Sequence, residues 1–131
     1  MQNPKEVFQY GFEKLEVWQE GRDLAKTIYL ITARFPDNEK FGLVNQMRRS
    51  AISVCSNIAE GSSRTSSKDQ AHFYQLAYSS LMELLSQSII SCDLGFFASE
   101  TLQPLRTKIE NISRMLNALR KSRLQAAGSK Q

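Results

Sequence analysis

Apolar residues return every three or four positions along most of the chain and nowhere alternate with period two over a strand's length. That period belongs to helices. Trp18, Leu24, Ala25, Ile28, Ile31 and Phe35 mark one side of a helix predicted over residues 15–34. Pro36 ends it, because proline drives the residue before it out of helical backbone. A second helix is predicted over residues 40–60, with Gly61 as the stop just past its end. Leu43, Val44, Met47, Ala51, Val54, Cys55 and Ile58 cover one side of it. Asn45, Arg49, Ser53, Ser56 and Glu60 form a polar stripe on the other, bordered by Gln46, Ser50 and Asn57.

The third helix is predicted to start after Ser67 as N-cap, with Gln70 completing a capping box, and to close at Gly95. Its apolar surface is wide. Phe73, Ala77, Leu81, Leu84 and Ser88 make one stripe; Tyr74, Tyr78, Met82, Leu85, Ile89 and Cys92 make a second beside it. A helix at the edge of a bundle needs a stripe of only about 100°. Either this helix lies deep in the core, or its second stripe packs on another subunit. Tyr74, Tyr78, Met82, Leu85 and Ile89 are then the candidate oligomer interface. The last helix is predicted to start near Pro104, which suits a first turn. Leu102, Leu105, Ile109, Ile112, Leu116 and Leu119 repeat at alternating threes and fours, the seam of a left-handed bundle.

Four helices joined by short connections imply an all-α, antiparallel, up-down-up-down four-helix bundle. It is expected over residues 12–124, after an N-terminal extension of residues 1–11 and before a disordered basic tail of residues 125–131. With 131 residues and 41 % apolar composition, the chain is long enough for one domain with its own core.

Charge adds a direction to this picture. The net charge is +4, yet residues 106–131 hold seven Lys/Arg against Glu110 alone. All of the excess therefore lies at the C-terminal end, where a localised positive field favours an anionic partner. Arg106, Lys108, Arg114, Arg120, Lys121 and Arg123 are the candidate nucleic-acid contacts, with Arg48 and Arg64 weaker choices. Aromatic residues do not interleave with them, so phosphate contact is expected and base stacking is not.

Catalytic chemistry is hard to write. His72 is the only histidine and is expected on the surface. One histidine and two cysteines 37 residues apart make no zinc site, and buried free thiols are expected at Cys55 and Cys92. No Glu-x-x-His pair exists for a di-iron bundle, and the glycines stand singly, without a phosphate loop. The sequence thus points to a non-enzymatic protein with no catalytic residue, metal or cofactor. No apolar run reaches a membrane span. The N-terminus is too polar for a signal peptide, so the cytoplasm is the expected location.

The segments "FEKLEVW", "FP..E.FGL..QMRRSAISVCSNIAEGSSR" and "F....AYSSLMEL" resemble a family of small bacterial four-helix-bundle proteins. Its founding members are encoded by intervening sequences in 23S ribosomal RNA genes. A related branch is the accessory protein of diversity-generating retroelements. The likeness is close over residues 12–94 and looser beyond. Cys55 departs from it, since proline often stands there. That branch forms pentameric barrels, binds nucleic acid and associates with a reverse transcriptase. The resemblance therefore implies a homopentameric ring for this chain.

Two function classes follow. One is an oligomer that binds RNA or DNA through its basic surface. The other is a protein–protein adaptor, or an accessory subunit for a reverse transcriptase or other enzyme. The polar residues Arg49, Asn57 and Glu60 need a separate role. Arg49 and Glu60 are eleven residues apart, about 16 Å along a helix, so they cannot pair with each other. They are expected, with Asn57, to contact another helix and fix register or assembly. The competing reading is a surface pair between Glu60 and Arg64.

Overall fold

The structure, a computed structural model, describes residues 7–128. It contains α1 (Glu16–Thr32), α2 (Leu43–Ser63), α3 (Ser67–Asp93) and α4 (Ser99–Gly128), with short 3-10 turns at Gly11–Lys14 and Asp37–Glu39. Among the described residues there is no strand. Each helix packs on its two neighbours, α1 on α2 and α4, and α3 on α2 and α4. The result is the antiparallel four-helix bundle that the apolar periods imply. Leu24, Ile28, Met47, Val54, Ile58, Leu81, Leu84, Ile109, Ile112 and Leu116 fill its centre with almost no exposure.

The wide apolar surface of α3 has an explanation inside the single chain. This helix makes the two most extensive seams of the bundle, one with α2 and one with α4. Ala77, Leu81 and Leu84 are fully buried, and Tyr74 is only 3 % exposed. Tyr78, Met82 and Leu85 are half-buried against the core, and Ile89 is half-buried. Tyr74 therefore cannot belong to an interface with another copy, and the second stripe by itself no longer demands one.

Around the first connection α1 ends at Thr32 and α2 starts at Leu43, two and three residues inside their expected bounds; three further boundaries differ, each for a local reason. Gly61 does not stop α2, which continues to Ser63. It is buried where α2 meets α3, and a Cβ there would lie 2.8 Å from Tyr74 Cε1 and 3.1 Å from Phe73 Cβ. The glycine is required by close approach of two helices, not by backbone reversal. The cap of α3 is Ser66 rather than Ser67: its Oγ accepts from the Asp69 amide at 3.0 Å, while Ser67 is buried. Pro104 lies in the second turn of α4, which begins five residues earlier. Past the first turn its missing N–H forgoes the bond that Glu100 O would otherwise accept.

Gly95 closes α3 as expected. Its φ of +80° is a left-handed value that suits glycine. Its amide donates to Cys92 O at 2.9 Å and the Phe96 amide to Ser91 O at 3.0 Å, the paired bonds of a Schellman ending. Phe96 and Phe97 then fold onto Phe35, with ring centroids at 5.3 and 6.0 Å, and cover that end of the bundle. At the C-terminus, residues 125–128 continue α4 as helix instead of forming a disordered tail. The rest of that tail, with Lys130, lies outside the described residues, as do residues 1–6 of the N-terminal extension.

Candidate nucleic-acid interface

The basic residues of α4 divide by helical angle. The core side of the helix is Leu105, Ile109, Ile112 and Leu116. Arg106, Arg114 and Lys121 project away from it and are exposed. Arg106 and Lys121 form no ion pair among the described residues, whereas Arg114 Nη2 donates to Glu110 Oε1 at 2.9 Å. Lys108 faces α1 instead, where it pairs with Asp23 and lies 3.9 Å from Glu20 Oε2. The Lys108 ammonium, by hydrogen bond and by charge, holds the Asp23 carboxyl below its usual range. Lys108 thus joins α4 to α1 and is not a free phosphate ligand.

Arg120 and Arg123 flank the core side and reach across to α3. Arg120 Nη1 donates to Gln75 Oε1, and Arg123 Nη1 to Gln70 Oε1 at 3.5 Å. Arg123 Nε is buried without a partner. These contacts hold the last turns of α4 against the first turns of α3. After Glu110 no acidic residue occurs in α4, while Arg114, Arg120, Lys121 and Arg123 do. Lys68 adds a cation and Asp69 an anion on the first turn of α3. The outcome is a basic end of α4, not a stripe along its length, and the same end of the bundle also carries Glu13, Glu16 and Glu60.

The polar stripe of α2 forms a separate ladder with α3. Ser50 Oγ donates to Glu83 Oε1 at 2.8 Å, with Gln87 Oε1 at 3.1 Å as a second acceptor in reach. Ser53 Oγ and Ser80 Oγ share a bond of 2.9 Å, and Asn57 Nδ2 donates to Ser53 O at 2.9 Å. Against expectation, the hydrogen bonds of Asn57 among the described residues stay within α2, and Ser53 makes the crossing to α3 in its place. Arg49 is exposed on a polar cleft of about 340 Å³ with Gln46, Ser50, Ser53, Ser80 and Glu83, and makes no hydrogen bond or ion pair there among the described residues. Glu60 behaves otherwise than expected. Arg64 Nη2 donates to Glu60 Oε2 at 3.0 Å on the surface, with the carboxylate side chain 49 % exposed. Among the described residues it makes no hydrogen bond or ion pair to another helix; the reach of a four-residue step was shorter than any tertiary one. The Arg64 guanidinium also lies 4.5 Å from the centroid of the Phe73 ring.

Sequence reasoning offered Arg48 only as a weaker nucleic-acid contact and missed its bonds to α1. Its Nε donates to Thr32 Oγ1 at 2.9 Å and its Nη2 to Tyr29 O at 3.3 Å, with the guanidinium 4.4 Å from the Tyr29 ring centroid. A cation at the carbonyl end of α1 meets the negative end of that helix. The available signal was its place one residue off the polar stripe, toward the apolar side. Cys55 is half-buried, packed near Gly21, and burial pushes its thiol up to about 11. Cys92 is half-buried too, and both thiols are free. His72 is exposed. Among the described residues no three His, Cys, Asp or Glu groups gather as metal ligands, and no helix is long and apolar enough to cross a membrane.

A closed square of four antiparallel helices, with cations gathered on the last half of α4, defines a helical-bundle protein. Residues 13–118 match the family described as 23S rRNA-intervening sequence protein, and the chain belongs to that family. The crystal structure of a protein with unknown function from the S23 ribosomal protein family of Bacteroides thetaiotaomicron superposes with a TM-score of 0.72 at 18 % identity. The overlap covers 80 % of this chain and 98 % of that one, and at this identity it speaks for the fold alone. No match was found among curated proteins.

Proposed function

We propose that this chain is a non-enzymatic, self-associating bundle protein that binds RNA or DNA through its basic end without reading sequence. The observation that carries this reading is the run after Glu110. Four cations and no acid lie on the last half of α4, and Gln70 and Gln75 of α3 fix two of them in place. Fixed guanidinium groups lose less freedom on meeting a phosphate than mobile ones. Association of copies, as in the pentamer that the sequence resemblance implies, repeats this end around a symmetry axis and multiplies its field.

Filter binding of a structured RNA and a DNA duplex at low salt tests the reading. Retention should weaken with a slope of about −0.9 in log–log form per duplex phosphate neutralised. Replacing Arg114, Lys121 and Arg123 by Gln should lower that slope by about two to three. No retention at micromolar protein in low salt overturns the proposal.

The adaptor reading, with a reverse transcriptase or other enzyme as partner, rests on resemblance alone. What favours docking of some kind is an apolar groove on the outer side of α1 and α2. Trp18, Ala25, Tyr29, Leu30, Ile52 and Cys55 line it, with Arg22 and Lys26 at its rim.

A further inference from the structure

On the seam between α2 and α3, one carboxylate is held in place without a cation. Glu83 Oε1 accepts from Ser50 Oγ at 2.8 Å and from Gln87 Nε2 at 3.3 Å. Ser50 and Gln87 are 3 % and 9 % exposed, so the carboxylate rests on a buried polar floor. Both donors reach Oε1, and Glu83 forms no ion pair among the described residues. An ionised carboxylate has about four acceptor sites, so part of this one is left for a further donor.

Glu83 borders the polar cleft of about 340 Å³ that Arg49 also borders. The two charges are opposite, yet they do not meet within ion-pair distance, and Arg49 has no other partner among the described residues. The adjacent Arg48 is committed to Thr32 and Tyr29 of α1 and leaves Glu83 uncompensated. The rest of the lining is polar as well. It consists of Gln46, Ser50 and the hydroxyls of Ser53 and Ser80, which bond each other at 2.9 Å.

We infer that this cleft binds a small zwitterion, a polar α-amino acid, with its ammonium on Glu83 and its carboxylate on Arg49. An ammonium offers three donors and no acceptor, which suits the open lone pairs of Glu83. A guanidinium presents a planar fork that a carboxylate can meet with both oxygens. A simple anion would be repelled by Glu83 and a simple cation by Arg49, so the pair of charges selects a ligand that carries both. The volume lies at the low end of the range for small-ligand sites, about 300–1,000 Å³, which fits an amino acid better than a larger ligand. The lining offers hydroxyl and amide groups to a polar side chain and no apolar wall to a greasy one. Arg49 is exposed and must be ordered on binding, so the affinity should be modest. The site stands apart from the proposed function, because Arg49 and Glu83 lie outside the last half of α4.

Isothermal titration calorimetry of the full chain with L-serine, L-asparagine and L-glutamine tests the inference and does not read nucleic-acid binding. At least one of the three should bind with a dissociation constant of about 1 mM or lower. L-serinamide, which lacks the carboxylate, and L-glycerate, which lacks the ammonium, should bind at least about tenfold more weakly than the amino acid. Arg49→Gln and Glu83→Gln should each weaken the amino acid by about 10–100-fold, the usual loss for a hydrogen bond to a charged group. Both side chains are exposed, and Gln at position 83 still offers Ser50 an acceptor, so helical content by circular dichroism should not change. If none of the three binds at or below about 1 mM, the inference is overturned. So it is if either analogue binds as tightly as the amino acid, or if binding survives either substitution. A double-mutant cycle on the ligand-free melting temperature supplies an independent check. Additive losses are expected; a strong coupling would give Arg49 and Glu83 to each other and overturn the site.

Discussion

At Gly61 a hydrogen atom does what no side chain could. The nearest ring carbon of Tyr74 would be 2.8 Å from a Cβ built there. Gly61→Ala should therefore force α2 and α3 apart or twist Tyr74 off its rotamer, at about 1–3 kcal/mol, the usual penalty of overpacking. A urea midpoint lowered with unchanged slope would show it. Glu60, one position earlier, should be nearly silent: its pair with Arg64 is exposed, and Glu60→Gln should shift stability by no more than about 0.5–1 kcal/mol in the same assay. The contrast between neighbours explains what could be read in advance. The spacing of Asn45, Arg49, Ser53 and Glu60 showed a polar face, but not which member finds a tertiary partner. Ser53 does, through Ser80; Glu60 does not. Likewise Gly61 looked like a stop because glycine beside serines resembles one, whereas its reason lies thirteen residues on in Tyr74.

At the scale of an element, apolar period and punctuation were legible and the ends were less so. All four helices, their order and the Gly95 closure follow from the pattern of residues, because each depends on neighbours within a few positions. The start of α4 did not, because Pro104 can stand in a second turn as well as a first. Nor did the double stripe of α3, since periodicity gives the width of an apolar face but not how many helices cover it. Gly95→Ala should cost about 1 kcal/mol or more, since φ of +80° leaves no room for a Cβ free of strain. Nothing crowds an added carbon at Gly95 or at Gly128, so a chemical denaturation series comparing Gly95→Ala with Gly128→Ala, where φ is not positive, should show the cost of the backbone strain alone.

Over the whole molecule, charge is unevenly used. Asp23 and Lys108 join α1 to α4, the least extensive of the four seams. The Asp23 carboxyl is held below its ordinary pKa, first by the Lys108 hydrogen bond and then by its charge. A depressed folded pKa means that the stabilisation is complete above the unfolded value, about 3.9, and is lost as pH falls through the folded one. Melting temperature measured from pH 6 to pH 2 should decline below about pH 4, and Asp23→Asn should remove part of that decline. The basic end was visible in the charge count alone, though the count could not separate Lys108, which is spent on α1, from Lys121, which is not. The groove between α1 and α2 was not visible at all: Leu30 and Ile52 are 22 residues apart in sequence and come together only when the two helices pack.

Only residues 64–66 separate α2 from α3, and Gly61 lets the two helices nearly touch beside that connection. Closing so short a loop carries little entropic penalty, so this hairpin is the natural place for order to begin as the chain collapses and the last to open in the native state. Amide hydrogens in the middle of α2 and α3 should exchange with deuterium only through global unfolding, while those of α1 should exchange earlier, through partial opening along its thinner contact with α4.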